Sequence, residues 1–397
     1  MAIRSTCLVL ALLGTHAYAA PTSPVACKPG RFVFDPPGAR HNVPQLTYDA
    51  NGYTLVAYDG PPSHILLTTI DPVARKTKQV TLADGALPQA ASNGAQIGIA
   101  FLGPEPVAQG PVKQRYQSYF VVVNRDGKVV VPKLALGDRT ASHSAPGVLV
   151  AWSPERKEWG VVWTEGTKVQ LARISAAGKL AKTIALPDGT SVSHQLRMVW
   201  TGRAYAFAAA TPTGLVLLQI DDDGARQVPI AKGSALEPVT AFAQGTFAVA
   251  YRTDAEQLVV VRIKDGKELG RSVIADLRKG AQIASGPATR PAPSPNRPPD
   301  PLPKHVPMLS SLSLAADGAG FVLVWEQMTS GGGFNSRLHV ARLDGNGAIA
   351  AGYPKRIDGE DTHQGYASIA GSGCGLAVSY ILGDPNGDVR VAFVQAP

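Results

Sequence analysis

Seven copies of one short strand pattern set the strongest limit on how this chain can fold. Each copy is a run of alternating or continuous apolar residues that ends in an aromatic or small residue. Short runs rich in branched and aromatic residues favour strands over helices, and their regular recurrence indicates a repeat architecture. The copies are residues 53–58, 97–101, 159–163, 205–209, 247–251, 321–325 and 376–380.

A second apolar strand follows each copy, at residues 65–70, 119–123, 169–174, 215–220, 258–263, 338–343 and 389–394. Most of these run into a tight turn, where pairs such as Asp265-Gly266 and Asp344-Gly345 supply the positive φ that hairpins need. One strand before the pattern and one after the turn complete four strands per repeat, near the propeller blade length of about 40–45 residues. The sequence therefore predicts an all-β protein, a seven-bladed β-propeller of four-stranded antiparallel blades.

The two ends of the chain are expected to meet in the last blade. The last repeat ends after its third strand, while residues 31–35 form a spare strand ahead of the first complete repeat. We expect this N-terminal strand to take the fourth place in the last blade, so that residues 20–397 form a single propeller domain. This plan resembles the Gly- and Asp-turned propeller repeats of secreted bacterial proteins, which are similar in plan to WD40 and kelch propellers, although their signatures are missing here. The resemblance implies the fold and no single activity.

Residues 1–19 have the features of a signal peptide. Arg4 precedes an apolar run at residues 7–13, and Ala17-Tyr18-Ala19 fits a cleavage site. The apolar run is too short for a membrane span, which takes about 20 residues. We therefore expect a periplasmic or secreted protein without a membrane span. In that oxidising setting Cys27 and Cys374, at opposite ends of the mature chain, are predicted to form a disulfide bond.

The net charge of +8 favours anionic partners through long-range attraction. Nucleic acid is excluded as a partner, because export removes the usual target and no basic-aromatic stacking motif is present. The remaining partner classes are a glycan, a small molecule or a protein, and we expect a monomer.

Three insertions between strands are expected to lie on one face of the propeller, at residues 102–117, 278–304 and 328–336. This inserted-loop face carries the connections between blades and the loops between the second and third strands. The 278–304 insertion is rich in proline and is expected to be an exposed loop. Basic residues in these loops are candidate ligand-binding groups or simply solvated surface: Arg115, Arg278, Arg290, Arg297 and Lys304.

Five histidines recur shortly before the innermost strands, which face the central channel: His41, His143, His194, His305 and His363. They could ring the channel mouth and hold a divalent metal, since imidazole suits zinc, copper, iron and nickel. Alternatively, each ring hydrogen-bonds within its own blade, as a histidine in this connection does in WD40 repeats.

Motifs for zinc proteases, phosphate loops and hydrolase nucleophiles are missing from the sequence. The sequence therefore favours a binding protein that uses its inserted-loop face, with an anionic glycan as a candidate ligand. The alternative is a metal-assisted lyase or hydrolase of acidic polysaccharide that uses the histidine ring. Catalytic residues stay unassigned, and whether the protein is an enzyme stays open.

Overall fold

The computed structural model describes residues 33–34, 44–59, 63–71, 76–106, 114–140, 147–193, 195–233, 235–277, 308–318, 320–329, 335–357, 364–372, 375–382 and 388–394. These residues form 28 β-strands in seven antiparallel sheets of four strands each. The innermost strand of each sheet contacts the innermost strands of the sheets on either side, so the sheets close into a ring. The predicted seven-bladed β-propeller is confirmed.

In blades 1 to 6 the strands run in chain order from the innermost to the outermost position, and in blade 7 the outermost strand is the N-terminal one. Blade 1 consists of β2 (Gln45–Asp49), β3 (Gly52–Tyr58), β4 (His64–Asp71) and β5 (Lys76–Asp84). Blade 2 consists of β6 (Ala86–Ser92), β7 (Gln96–Pro106), β8 (Gln114–Asn124) and β9 (Val129–Thr140). Blade 3 consists of β10 (Val148–Ser153), β11 (Glu158–Glu165), β12 (Lys168–Ser175) and β13 (Leu180–Ala185). Blades 4 and 5 consist of β14 (Val199–Trp200), β15 (Tyr205–Thr211), β16 (Gly214–Ile220) and β17 (Ala225–Lys232); and β18 (Ala235–Ala243), β19 (Thr246–Thr253), β20 (Gln257–Lys264) and β21 (Lys267–Asp276). Blades 6 and 7 consist of β22 (Met308–Asp317), β23 (Gly320–Thr329), β24 (Asn335–Leu343) and β25 (Lys355–Arg356); and β26 (Gln364–Ser372), β27 (Gly375–Leu382), β28 (Asp388–Val394) and β1 (Val33–Phe34).

The last blade is completed by the N-terminal strand, as the sequence predicts. β1 pairs antiparallel with β28, placing Val33 opposite Ala392 and Phe34 opposite Val391. The outer edge of β28 would otherwise present unpaired backbone groups. The predicted Cys27–Cys374 disulfide and the signal peptide at residues 1–19 lie outside the described residues.

Where neighbouring blades pack, a large aromatic ring of one blade lies directly against a glycine of the preceding blade. A Cβ atom on Gly98 of blade 2 would lie 2.8 Å from Cε3 of Trp159 in blade 3. In the same way, a Cβ atom on Gly160 of blade 3 would lie 2.5 Å from Cε1 of Tyr205 in blade 4. Both rings are almost completely buried. The second strands of these blades therefore need glycine so that the next blade can approach.

The insertion predicted as a loop at residues 102–117 is largely a continued hairpin, which corrects the sequence-based boundary. The β7–β8 ladder runs on from Leu102 opposite Ser118 to Pro106 opposite Gln114, so only residues 107–113 lie outside the described residues. The 328–336 insertion behaves similarly, with Met328 opposite Ser336 and Thr329 opposite Asn335. Continuing the ladder pairs backbone groups that a loop would leave to solvent. The 278–304 insertion lies outside the described residues.

No helix in the described part of the chain is long and apolar enough to cross a membrane.

Candidate functional site

Most of the residues that the sequence nominates fall outside the described part of the chain. This applies to His41, His143, His194, His305 and His363 and to Arg278, Arg290, Arg297 and Lys304. Arg115 lies in β8, where its backbone pairs with Glu105 of β7. Among the described residues, no group of three or more His, Cys, Asp or Glu side chains could hold a metal ion. The histidine ring and its metal stay predictions.

The described residues instead delimit a cavity of about 510 Å³ on the propeller axis, lined by the innermost strands of all seven blades. Each innermost strand ends in a hairpin to the second strand, and these hairpins define the hairpin face, opposite the inserted-loop face. The residue of each innermost strand that pairs with the first residue of a sequence repeat contributes to a mouth ring close to these hairpins. The mouth ring comprises Tyr48, Ser92, Trp152, Trp200, Phe242, Ala316 and Gly371.

One side of the mouth ring is an aromatic wall made of Trp152, Trp200 and Phe242 from blades 3, 4 and 5. Each wall ring tilts against the repeat residue it pairs with, at centroid distances of 4.5, 4.8 and 4.7 Å. All three wall rings are only partly buried. Across the channel, Ala316 and Gly371 of blades 6 and 7 contribute almost no side chain. The open volume therefore faces a fixed aromatic surface.

The next ring inward, one residue further from the hairpins, is built mostly from small side chains. It comprises Thr47, Ala91, Ala151, Val199, Ala241, Ala315 and Ala370. Ala151, Ala241 and Ala370 are buried in the hydrophobic cores between neighbouring blades. Small residues thus recur at this position of the innermost strands, where the blades lie closest to the axis.

Arg197 lies three residues before Trp200 and crosses the channel toward the inserted-loop end. Its Nη1 donates to Oε1 of Gln89 at 2.8 Å, and its Nη2 donates to Oγ of Ser368 at 2.7 Å. Gln89 belongs to blade 2 and Ser368 to blade 7, whereas Arg197 precedes the first strand of blade 4. Gln89 Nε2 in turn donates to the Leu196 carbonyl at 3.4 Å. One guanidinium therefore links three blades that are not neighbours.

The charge of Arg197 has no carboxylate partner among the described residues. Burial of the guanidinium lowers the pKa of Arg197 to about 10, so the group remains a cation at neutral pH. The Arg197 side chain is partly buried, and a cation that loses hydration is normally paired with an anion, because burying a lone charge is costly. Arg125 shows the usual arrangement, since its Nη1 lies 2.8 Å from a carboxylate oxygen of Asp49. Arg197 lacks such a counter-charge among the described residues.

Gln45 adds a second unsatisfied group to the cavity wall. Its side chain is 5% exposed, and its Oε1 atom is buried without a hydrogen-bond partner among the described residues. A buried polar atom left without a partner costs about 1–3 kcal/mol. Its neighbour Leu46 is satisfied, because its N–H donates to Ser368 Oγ at 3.0 Å. Gln45 and Arg197 thus offer an acceptor and a cation at the same level of the channel.

An acidic cluster lies between blades 5 and 6, nearer the inserted-loop face. Arg252 Nη1 lies 3.3 Å from Glu256 Oε1, and its Nη2 lies 3.9 Å from Glu237 Oε1. Glu237 occupies a bulge of β18 with a φ of 52°. Burial raises the pKa of Glu237, and the nearby carboxylates of Glu326 and Glu256 raise it further, while Arg252 opposes them. Glu237 therefore retains its proton at higher pH than an ordinary glutamate.

We expect Glu237→Gln to stabilise the protein increasingly as the pH rises from 4 to 7. The pKa of Glu237 is higher in the folded protein than in the unfolded chain. The folded state therefore binds more protons between the two values, and stability falls as the pH rises through that interval. Glutamine removes this loss. Urea unfolding of variant and wild type across this range measures it, with the exposed Glu268→Gln in the same blade as control. A difference that stays flat with pH would contradict the assignment.

No protein-family model matches the chain, and no curated protein matches it. Solved structures share the propeller fold at low identity. Trypanosoma rangeli sialidase in complex with the inhibitor DANA is 11% identical, with a TM-score of 0.47 over 90% of this chain and 55% of the sialidase chain. The K499G mutant of NanB sialidase from Streptococcus pneumoniae is 11% identical, with a TM-score of 0.44 over 92% of this chain and 70% of the other. A prolyl endopeptidase is 11% identical, with a TM-score of 0.47 over 89% of this chain and 46% of the other. Similarity at this level concerns the fold alone.

The sequence-based search missed Arg197, Gln45 and the aromatic wall, although a signal was present. Each innermost strand precedes its repeat by a short hairpin. Counting back five residues from the first residue of the repeat reaches Trp200 and Phe242, whereas Trp152 lies seven residues back because the hairpin of blade 3 is longer. Continuing the count past the small residues would have reached Arg197. Only the closed ring shows that Arg197 lacks a carboxylate partner among the described residues.

Proposed function

We propose that this protein is an exported, monomeric propeller that binds anionic ligands, with acidic glycans as the ligand class, through its inserted-loop face. The observation that carries the proposal is Arg197, a half-buried cation without a carboxylate partner among the described residues, on the side of the channel cavity nearer that face. The arginines and lysine of the inserted loops, from Arg115 to Lys304, extend the positive surface in this proposal. The net charge of +8 attracts such ligands from a distance.

Arg197 suits a carboxylate because a guanidinium presents five N–H donors in a planar fork. Two donors are used by Gln89 and Ser368, and the other three have no hydrogen-bond partner among the described residues. A charge-assisted bond to a ligand carboxylate would supply the missing counter-charge at this partly buried position.

The test is calorimetric titration of the mature protein with oligogalacturonate, using a neutral malto-oligosaccharide as the matched ligand. We expect binding of the acidic oligosaccharide alone, weakening as salt rises. Arg197→Met should weaken it at least tenfold, because methionine keeps the bulk and loses the charge. Equal binding of both oligosaccharides, or an unchanged Kd in the variant, would overturn the proposal.

A metal-assisted lyase or hydrolase is the second candidate function, and Glu237 is the observation that favours it. Burial raises the pKa of Glu237, and a carboxyl group that keeps its proton to higher pH can act as a general acid. In this alternative the five histidines hold the divalent ion. Incubation with polygalacturonate, with and without a chelator, decides between the two. Chelator-sensitive cleavage that is lost in Glu237→Gln would make the protein an enzyme, and an uncut polymer would leave it a binding protein.

A further inference from the structure

The part of the channel between Arg197 and the hairpin face has the features of a separate ligand site. Its volume of about 510 Å³ falls within the range of about 300–1,000 Å³ that is typical of small-molecule sites. The innermost strands that line it are edge strands held rigidly on their outer side by three further strands. The cavity is therefore preformed, and a ligand would not have to order it.

Three chemical features lie in a fixed order along this channel. The cation of Arg197 and the unpartnered acceptor Gln45 Oε1 stand at one end, and the aromatic wall stands at the hairpin end. Trp200 lies three residues after Arg197, at the end of β14, so their Cα atoms are at most about 11 Å apart. The small residues between the two ends leave room for one ring.

We propose that the channel binds a single-ring hydroxylated carboxylate, such as one acidic sugar unit, that enters from the hairpin face. The carboxylate pairs with Arg197, and one face of the ring packs on Trp152 or Trp200. Aromatic side chains provide large rigid contact surfaces for the C–H face of such rings. The inference rests on the proposed function in taking Arg197 as the anion site. It differs in the direction of approach and in the size of the ligand.

The wall is too constrained to be ordinary surface. Trp200 packs on Tyr205 and carries the guanidinium of Arg156 5.0 Å from its ring centroid. Its indole nitrogen donates to Glu155 Oε2. These contacts hold the ring in place while leaving it partly exposed toward the channel. A ring held in one orientation loses little entropy when a ligand stacks on it.

The experiment is titration with D-galacturonate, using D-galactose as the matched neutral sugar, followed by calorimetry and tryptophan fluorescence. We expect galacturonate to bind and to change the fluorescence, and galactose to do neither. Ala316→Trp narrows the mouth from the open side at an exposed position, so folding should be preserved. It should weaken galacturonate binding at least tenfold. Val130→Trp, an exposed site on the outer strand of blade 2, should bind like wild type.

The outcomes separate this inference from the proposed function. If oligogalacturonate binds but the free sugar acid does not, or if Ala316→Trp leaves its Kd unchanged while Arg197→Met raises it, the channel site is wrong and the inserted-loop proposal stands. If neither acidic ligand binds, both fall. An equal loss in Ala316→Trp and Val130→Trp would also overturn the channel site.

Discussion

Replacing Trp159 with alanine is expected to lower the free energy of unfolding by about 3–5 kcal/mol, the range for removing a large buried ring. Trp159 is fully buried between blades 2 and 3. Its ring centroid lies 6.0 Å from that of Phe120 and 4.5 Å from that of Trp152, and it sits directly over Gly98. Its indole N–H is buried without a hydrogen-bond partner among the described residues, so the loss is one of packing. Gly98 has no side chain with which to fill the gap.

Urea or guanidinium unfolding of wild type and variant measures this effect. Trp152→Ala is the matched control, because Trp152 is the same residue type in the same blade but is only partly buried. We expect the control to lose less than half as much stability. Similar losses in the two variants, or a loss under about 1 kcal/mol for Trp159→Ala, would contradict the packing of blades 2 and 3 described above.

The blade number could be predicted from sequence because each blade is a local repeat, and the closure of the ring could be predicted because one repeat is incomplete. Each second strand contains one repeat, and its own hairpin and its own neighbours determine where it pairs. Residues 31–35 were recognisable as a spare strand because the last repeat lacks one, and β1 indeed pairs with β28. The boundary of the second-blade insertion was wrong for the opposite reason. Residues 102–106 have no repeat to match, and only their partners in β8 show that they continue the ladder.

The candidate site was beyond the sequence because its members come from distant parts of the chain. Arg197 and Gln89 are 108 residues apart, and Arg197 and Ser368 are 171 residues apart. Nothing in the local sequence of Arg197 distinguishes it from a solvated surface arginine. The role of Arg197 depends on ring closure, which brings blades 2, 4 and 7 around one axis. Among the described residues, ring closure places no carboxylate at the level of Arg197 in the channel. Spacing within a repeat can place a residue on the channel, but it cannot show which charges meet there.

Arg197→Met and Arg125→Met are expected to have opposite consequences for stability. Arg125 donates to both carboxylate oxygens of Asp49, at 2.9 and 2.8 Å, and the Asp49 side chain is 10% exposed. Removing Arg125 takes the counter-charge from that carboxylate, which still accepts hydrogen bonds from the Asn51 N–H and Ser92 Oγ. Breaking a buried pair costs about 3–5 kcal/mol. We expect about 2 kcal/mol, below that range, because these bonds remain and the Arg125 side chain is 21% exposed.

Arg197 has no such partner, so its replacement should leave stability within about 1 kcal/mol of wild type. The hydrogen bonds to Gln89 and Ser368 are lost, but the cost of burying an unpaired cation is lost with them. Denaturant unfolding of the two variants without ligand, followed by oligogalacturonate titration, gives both readouts on the same samples. The expected result is a stable Arg197→Met that no longer binds and a destabilised Arg125→Met that still does. A stable Arg197→Met that no longer binds would mean that Arg197 serves the ligand. A large loss of stability in Arg197→Met would instead make Arg197 a structural link between blades.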